Sequence, residues 1–109
     1  MDAQLKKGIL EMCILFSISK EEMYGYDIMQ KMSKLFPEVN ESTFYSILRR
    51  LCAEGTTEVY YGTTSNGPKR KYYRITTEGR RYLDTCIHDW NKIKNIVSEI
   101  GIPSYRQDC

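Results

Sequence analysis

Near the end of this chain six apolar residues, Leu83, Cys86, Trp90, Ile93, Val97 and Ile100, follow one another at intervals of 3, 4, 3, 4 and 3. That spacing sets them along one side of a helix, as a seam that wants another helix against it. Ile87 and Ile96 widen it. Thr76 is a suitable N-cap, Glu78 an acidic first-turn residue that suits the helix dipole, and Gly101 with Pro103 stops the helix at about Ile100. At ~1.5 Å per residue such a helix extends roughly 35 Å. A chain of 109 residues makes one small domain, too small to cover that length alone. The expected solution is a second copy packed two-fold along the seam.

The front of the chain supplies the rest of that packing. Residues Leu5–Ser19 read as a helix with Leu5, Ile9, Met12, Cys13 and Phe16 on one stripe and Leu10, Ile14 and Leu15 filling most of the remainder. A helix apolar nearly all round is covered on more than one side. Leu5 and Ile9 therefore join the seam residues Leu83, Cys86, Trp90, Ile93, Val97 and Ile100 as the candidate dimer interface. After a polar connector from Ser19 to Met23, a second helix is expected from Tyr24 to Phe36, with Tyr24, Ile28, Met32, Leu35 and Phe36 inward. Pro37 ends it, because the residue before proline avoids helical geometry.

A third helix lies between Asn40, a residue whose side chain can cap free N–H groups, and Gly55, which can take the left-handed conformation that closes a helix. Phe44, Ile47, Leu48 and Leu51 form its apolar stripe at i, i+3, i+4 and i+7. Its other face carries Ser42, Tyr45, Ser46 and Arg49, with Arg50 at the margin. Taken alone, a Ser/Tyr/Arg face is the ordinary solvated side of an amphipathic helix. The residues beyond Gly55 change that reading. Thr57–Thr63 and Lys69–Thr76 have the Thr, Tyr, Val and Ile content of strands, joined by the turn Thr64-Ser-Asn-Gly-Pro68. The hairpin carries Lys69, Arg70, Lys71 and Arg74. Three helices and then a basic hairpin make a winged helix-turn-helix, whose third helix offers forked and hydroxyl donors to base edges and whose wing sets cations on phosphates.

Charge distribution supports that reading where net charge does not. The whole chain is only +2, but residues 49–81 hold eight basic residues against three acidic ones, a local surplus of five. A basic block on a nearly neutral chain is the footprint of a polyanion site. With 41% hydrophobic and 28% charged residues the composition is that of a globular protein. Lys6-Lys7 ahead of an apolar run resembles a secretory signal, but Glu11 interrupts it and no small-residue cleavage site comes after. No stretch has the length of a membrane span, and the expected location is the cytoplasm. Cys13, Cys52, Cys86 and Cys109 show no C-x-x-C spacing, so neither a metal nor a cofactor is expected. Cys13 and Cys86 read as small residues on apolar helical faces, and His88, the single histidine, as a surface residue. The sequence holds no nucleophile–base set or carboxylate pair, which argues against an enzyme.

The chain resembles the PadR family of transcriptional regulators, in its short subfamily with a single C-terminal dimerisation helix. The likeness rests on Tyr24-Gly25-Tyr26-Asp27-Ile28, on Ser42-Thr43-Phe44-Tyr45-Ser46-Ile47-Leu48-Arg49-Arg50-Leu51, and on Gly67-Pro68-Lys69-Arg70-Lys71-Tyr72-Tyr73-Arg74-Ile75-Thr76-Thr77-Glu78-Gly79. It implies that Ser42, Thr43, Tyr45, Ser46, Arg49 and Arg50 enter a major groove and that Lys69, Arg70 and Lys71 touch the DNA backbone. Ser46 stands where many members have proline, and Thr56-Thr57 replace an aliphatic pair, an exchange expected to loosen the first wing strand. The resemblance also offers a second reading of Trp90. Multidrug-binding members stack planar aromatic compounds on a matching tryptophan at the dimer centre, which would make Trp90, Met12 and Ile93 a ligand pocket. The simpler reading is that Trp90 fills the dimer core.

The expected fold is thus α+β and mainly α: a winged helix-turn-helix over residues 1–76, a dimerisation helix over 77–101 and a tail over 102–109. The expected function is a homodimeric repressor of double-stranded DNA at an inverted repeat, released by a small planar aromatic effector. The alternative is a winged-helix module whose basic face meets an acidic protein.

Overall fold

The computed structural model of the chain describes residues 3–62, 67 and 69–104, with side chains from Lys6 onward. The turn at Thr64–Asn66 and Pro68, the end of the first wing strand at Thr63, the side chain of Leu5 and the tail cysteine Cys109 lie outside the described residues. In chain order the elements are α1 (Ala3–Lys20), β1 (Met23–Tyr24), α2 (Gly25–Leu35), α3 (Glu41–Ala53), β2 (Thr57–Gly62), β3 (Arg70–Ile75) and α4 (Thr77–Ile100). The fold is mainly helical with one small antiparallel sheet, as the sequence implied.

The apolar stripe of α3 is fully used: Phe44, Leu48 and Leu51 are 0% exposed and Ile47 is 3%. Around them close Leu10, Ile14, Leu15 and Ile18 of α1, Ile28, Met29 and Met32 of α2, Tyr73 of β3 and Leu83 of α4. Two helix ends differ from expectation. Asn40 caps α3 in an extended conformation without a side-chain hydrogen bond; its carbonyl accepts from the Thr43 N–H at 3.0 Å instead. Leu35, expected inward, is 62% exposed at the last position of α2, while the adjacent Phe36 is the half-buried residue on the core. Gly55 has φ 78°, the left-handed value that lets the chain leave α3 and enter β2.

The sheet runs in the order β1-β3-β2. Met23 and Tyr24 pair with Tyr73 and Tyr72, so the last residue of the expected connector and the first of the expected second helix form a short edge strand before the chain turns into α2. The wing is therefore rooted in the body of the protein on both sides of β3. On one face of the sheet Tyr24, Tyr72 and Tyr60 form a ladder with ring centroids 5.9 and 5.4 Å apart. Arg70 lies 5.0 Å over Tyr24, and Arg74 5.0 Å over Tyr60. Such ring and cation contacts stiffen this face of the sheet. Thr56 and Thr57 do not loosen the first strand. Both are buried, Thr56 Oγ1 donates to the Leu51 carbonyl at 2.9 Å, and Thr57 Oγ1 lies 3.1 Å from Cys52 Sγ. Their hydroxyls tie β2 to the end of α3.

One residue separates β3 from α4. Thr76 caps α4 by accepting from the Gly79 N–H at 3.0 Å, donates its own hydroxyl to the Gly55 carbonyl at 2.6 Å, and donates its N–H to the Thr56 carbonyl at 3.1 Å. The first two turns of α4 pack on α1 and the sheet; from residue 88 to residue 100 every side chain is exposed. The protomer measures 55 × 33 × 21 Å because that half of α4 projects from it.

Candidate nucleic-acid interface

The face of α3 opposite its apolar stripe is open. Ser42, Thr43, Tyr45, Ser46 and Arg49 are all exposed, and Arg49 Nη2 donates to Ser46 Oγ at 3.3 Å. Tyr45 and Arg49 share a groove of about 400 Å³ with Lys71 of the wing, Tyr73, and Tyr24, Gly25 and Tyr26 at the start of α2. Two elements far apart in sequence thus bring guanidinium, ammonium and phenol groups to one concave surface. The start of α2, whose N-cap Tyr24 makes no side-chain capping bond, forms the groove's far edge. Hydroxyls and cations in such a cleft suit phosphate oxygens, and the forked guanidinium of Arg49 suits a base edge.

Alternation along β3 divides the wing cations. Lys71 points to the groove side, its Nζ 5.5 Å from the Tyr73 ring centroid, while Arg70 points to the opposite face over Tyr24. Lys69, just ahead of the strand, is exposed. Lys69 and Lys71 are therefore open cations, Lys71 beside the α3 face, and Arg70 lies on the far side of the sheet.

Arg50 leaves this surface. From its marginal position on α3 it turns inward and pairs with Glu11 of α1, at 32% and 9% side-chain exposure respectively, with Glu54 only 4.0 Å away on the outer side. Glu11 also accepts from the Tyr82 hydroxyl of α4 at 2.9 Å. Burial first, and the bond to Glu11 second, push the Tyr82 phenol well above its ordinary value near 10. In the sequence Glu11 reads only as an interruption in an apolar run. The signal for its role is physical: a carboxylate on a helix covered all round must find a cation or donors. Tyr24 and Tyr26 are likewise groove residues that sequence reasoning misses, because their place depends on β1.

A second groove, about 310 Å³, lies between α1 and α4 and is lined by Gly8, Ile9, Met12, Cys86, Asp89, Trp90 and Ile93. It brings together the three side chains singled out for ligand contact, Met12, Trp90 and Ile93. Burial raises the Cys86 thiol above its usual range. Along the seam Trp90 is 39% exposed, Ile93 54%, Val97 37% and Ile100 71%, and Ile9 is half-buried. Leu83, expected at the head of the seam, is a correction: at 4% exposure it is enclosed in the protomer's own core, where α4 still lies on the body. The open seam starts further along the helix. Among the described residues no group of acidic, histidine or cysteine side chains is arranged to hold a metal ion, and no helix is long and apolar enough to cross a membrane.

Comparison with known proteins agrees with this geometry. The model of the transcriptional regulator PadR-like family matches residues 14–85. A PadR-like transcriptional regulator from Bacillus cereus is 38% identical, with a TM-score of 0.81 over 94% of this chain and 100% of that one. A PadR family transcriptional regulator from Eggerthella lenta is 27% identical, with a TM-score of 0.76 over 93% and 88% of the two chains. An uncharacterised protein of Lysinibacillus sphaericus is 38% identical over 94 residues, 84% of this chain and 86% of that protein.

Proposed function

This chain belongs to the PadR-like family of transcriptional regulators, and we propose that it acts as a homodimeric repressor reading an inverted repeat with α3 and gripping the backbone with the wing. The observation that carries the proposal is the single groove shared by Tyr45 and Arg49 of α3 and Lys71 of β3. Ser42, Thr43, Tyr45, Ser46 and Arg49 form the base-facing set; Lys69 and Lys71, with Arg70 from the far face, form the phosphate-facing set. Arg50 has a structural task instead. The homodimer is supported by the uncovered seam Trp90, Ile93, Val97 and Ile100, whose burial against a second copy removes apolar surface that one protomer leaves in water. Two reading heads on a two-fold axis then address half-sites about one helical turn apart. The groove around Trp90 is where a planar aromatic effector would bind and release the DNA, its open apolar walls and single carboxylate, Asp89, suiting a flat cation.

Fluorescence anisotropy with duplexes selected by the protein from a random-sequence library tests the DNA reading. Specific binding is expected at roughly 10⁻⁸ M or tighter, falling steeply as salt rises. Lys69→Ala should weaken all sequences alike and lower the salt slope by about 1, whereas Arg49→Ala should cost about 1–3 kcal/mol and relax base preference. Binding indifferent to salt, or an Arg49→Ala loss equal on selected and scrambled DNA, would refute this assignment.

A further inference from the structure

Among the described residues, the Glu11 carboxylate joins α3, α1 and α4 through polar atoms. Arg50 reaches it from α3 and the Tyr82 hydroxyl from α4, one on each carboxylate oxygen. Glu11 is 7% exposed, so neither partner is readily replaced by water. Its neighbours along α1, Ile9 and Met12, line the groove that also contains Cys86 and Trp90. Cys86 lies one turn beyond Tyr82 on α4. The groove wall, at Met12 and Cys86, thus adjoins Glu11 and Tyr82 along their own helices, and Glu11 leads on to Arg50, four residues along α3 from Ser46 and next to Arg49.

We propose that Glu11 is a positioning residue for DNA reading: by holding Arg50 and Tyr82 on one buried carboxylate it locks the orientation of α3 to that of α4, so that the state of the α1–α4 groove and the state of the DNA-reading face are coupled. This inference rests on the DNA-binding role proposed above. Its physical content is a joint with two arrangements. With Tyr82 on Glu11, α4 lies close on α1 and Arg50 is held inward. With Tyr82 withdrawn, Glu11 keeps Arg50 as its single partner and loses its tie to α4, so α3 and α1 are no longer held in register with α4. Anything that wedges α4 away from α1 favours the second arrangement and disfavours the DNA-bound one, and by reciprocity DNA favours the first.

Trp90 is the only tryptophan, and it lies in the groove rather than on the reading face. Its emission is therefore a reporter of the coupling that needs no effector. The tightest library-selected duplex is titrated onto wild type, Tyr82→Phe and Glu11→Gln, with a scrambled duplex as reference and circular dichroism to verify folding. Wild-type Trp90 emission is expected to shift on binding the selected duplex. Tyr82→Phe, which removes one oxygen from a partly exposed side chain, should fold as wild type, lose roughly three- to tenfold in the ratio of selected to scrambled affinity, and lose most of the Trp90 response. Glu11→Gln, where it folds, should match it, and the double variant should show no further loss. The proposal is overturned if Tyr82→Phe keeps both the affinity ratio and the Trp90 shift, the pattern of a bond that only holds the fold. It is overturned as well if wild-type Trp90 ignores the selected duplex. Absence of DNA binding by the wild-type protein is a different failure, since it removes the proposed function itself.

Discussion

Replacing Gly79 by alanine sets two principles against each other, and the structure decides between them. Gly79 lies in the first turn of α4, where alanine gains about 1 kcal/mol of helix propensity over glycine. A methyl group there, however, lands on the Thr56 carbonyl oxygen, with Ile75 Cγ1 at 2.7 Å and the Thr56 carbonyl carbon at 2.9 Å. Two of those atoms are backbone, which cannot rotate away. Overpacking of this kind costs about 1–3 kcal/mol. Relief requires the start of α4 to lift, which breaks the Thr76 cap on the Gly79 N–H and the Thr76 N–H bond to Thr56. Those two losses add about 1 kcal/mol each. The net expectation is a destabilisation of about 2–4 kcal/mol, or a fall in Tm of roughly 8–20 °C for a domain of this size. Thermal melts and urea titrations monitored at 222 nm, at one fixed protein concentration, provide the measurement. A Gly79→Ala protein that melts at or above the wild-type temperature refutes the reasoning, because propensity would then have won over the close approach of α4 to the sheet.

Ile93→Lys tests the seam: the site is 54% exposed in the protomer, so the fold should survive with its helical content intact, while sedimentation at micromolar concentration should find single chains for the variant and the proposed pairs for wild type. An unchanged sedimentation coefficient would refute the interface. The raised Tyr82 phenol makes a statement about alkaline stability. Because its folded value exceeds its unfolded one, its contribution is complete below the unfolded value near 10 and is lost as pH climbs from there toward the folded value. Tyr82→Phe should therefore flatten the decline in stability above pH ~10 relative to wild type; parallel curves in urea titrations across that range would count against it.

How much is legible in the sequence depends on whether a pattern has one physical interpretation. The stripe Phe44, Ile47, Leu48 and Leu51 has only one, and it is buried as read. The two hairpin strands come from residue types, because runs rich in Thr, Tyr, Val and Ile bounded by turn residues leave few choices; their register comes only with the structure. Met23–Tyr24 is not legible as a strand, since two residues carry no period and their pairing is decided by β3. The seam on α4 tells which face is apolar but not what covers each part, and Leu83 is covered from within. Arg50 is the same problem in miniature. A long cation at the edge of a helical face has two destinations, and only the position of Glu11 on another helix selects one. At the site, the residue types of α3 are legible while the groove is not, because Tyr24, Tyr26 and Lys71 converge only after the sheet forms.

The single residue between β3 and α4 has a mechanical consequence. With Thr76 fastened at three points to Gly55, Thr56 and Gly79, there is no slack in which a turn of the tail could dissipate. The wing strands and α4 are thereby joined without a flexible linker at the base of the sheet. In the proposed dimer, the angle at which the two α4 arms cross would then set the spacing of the two reading heads.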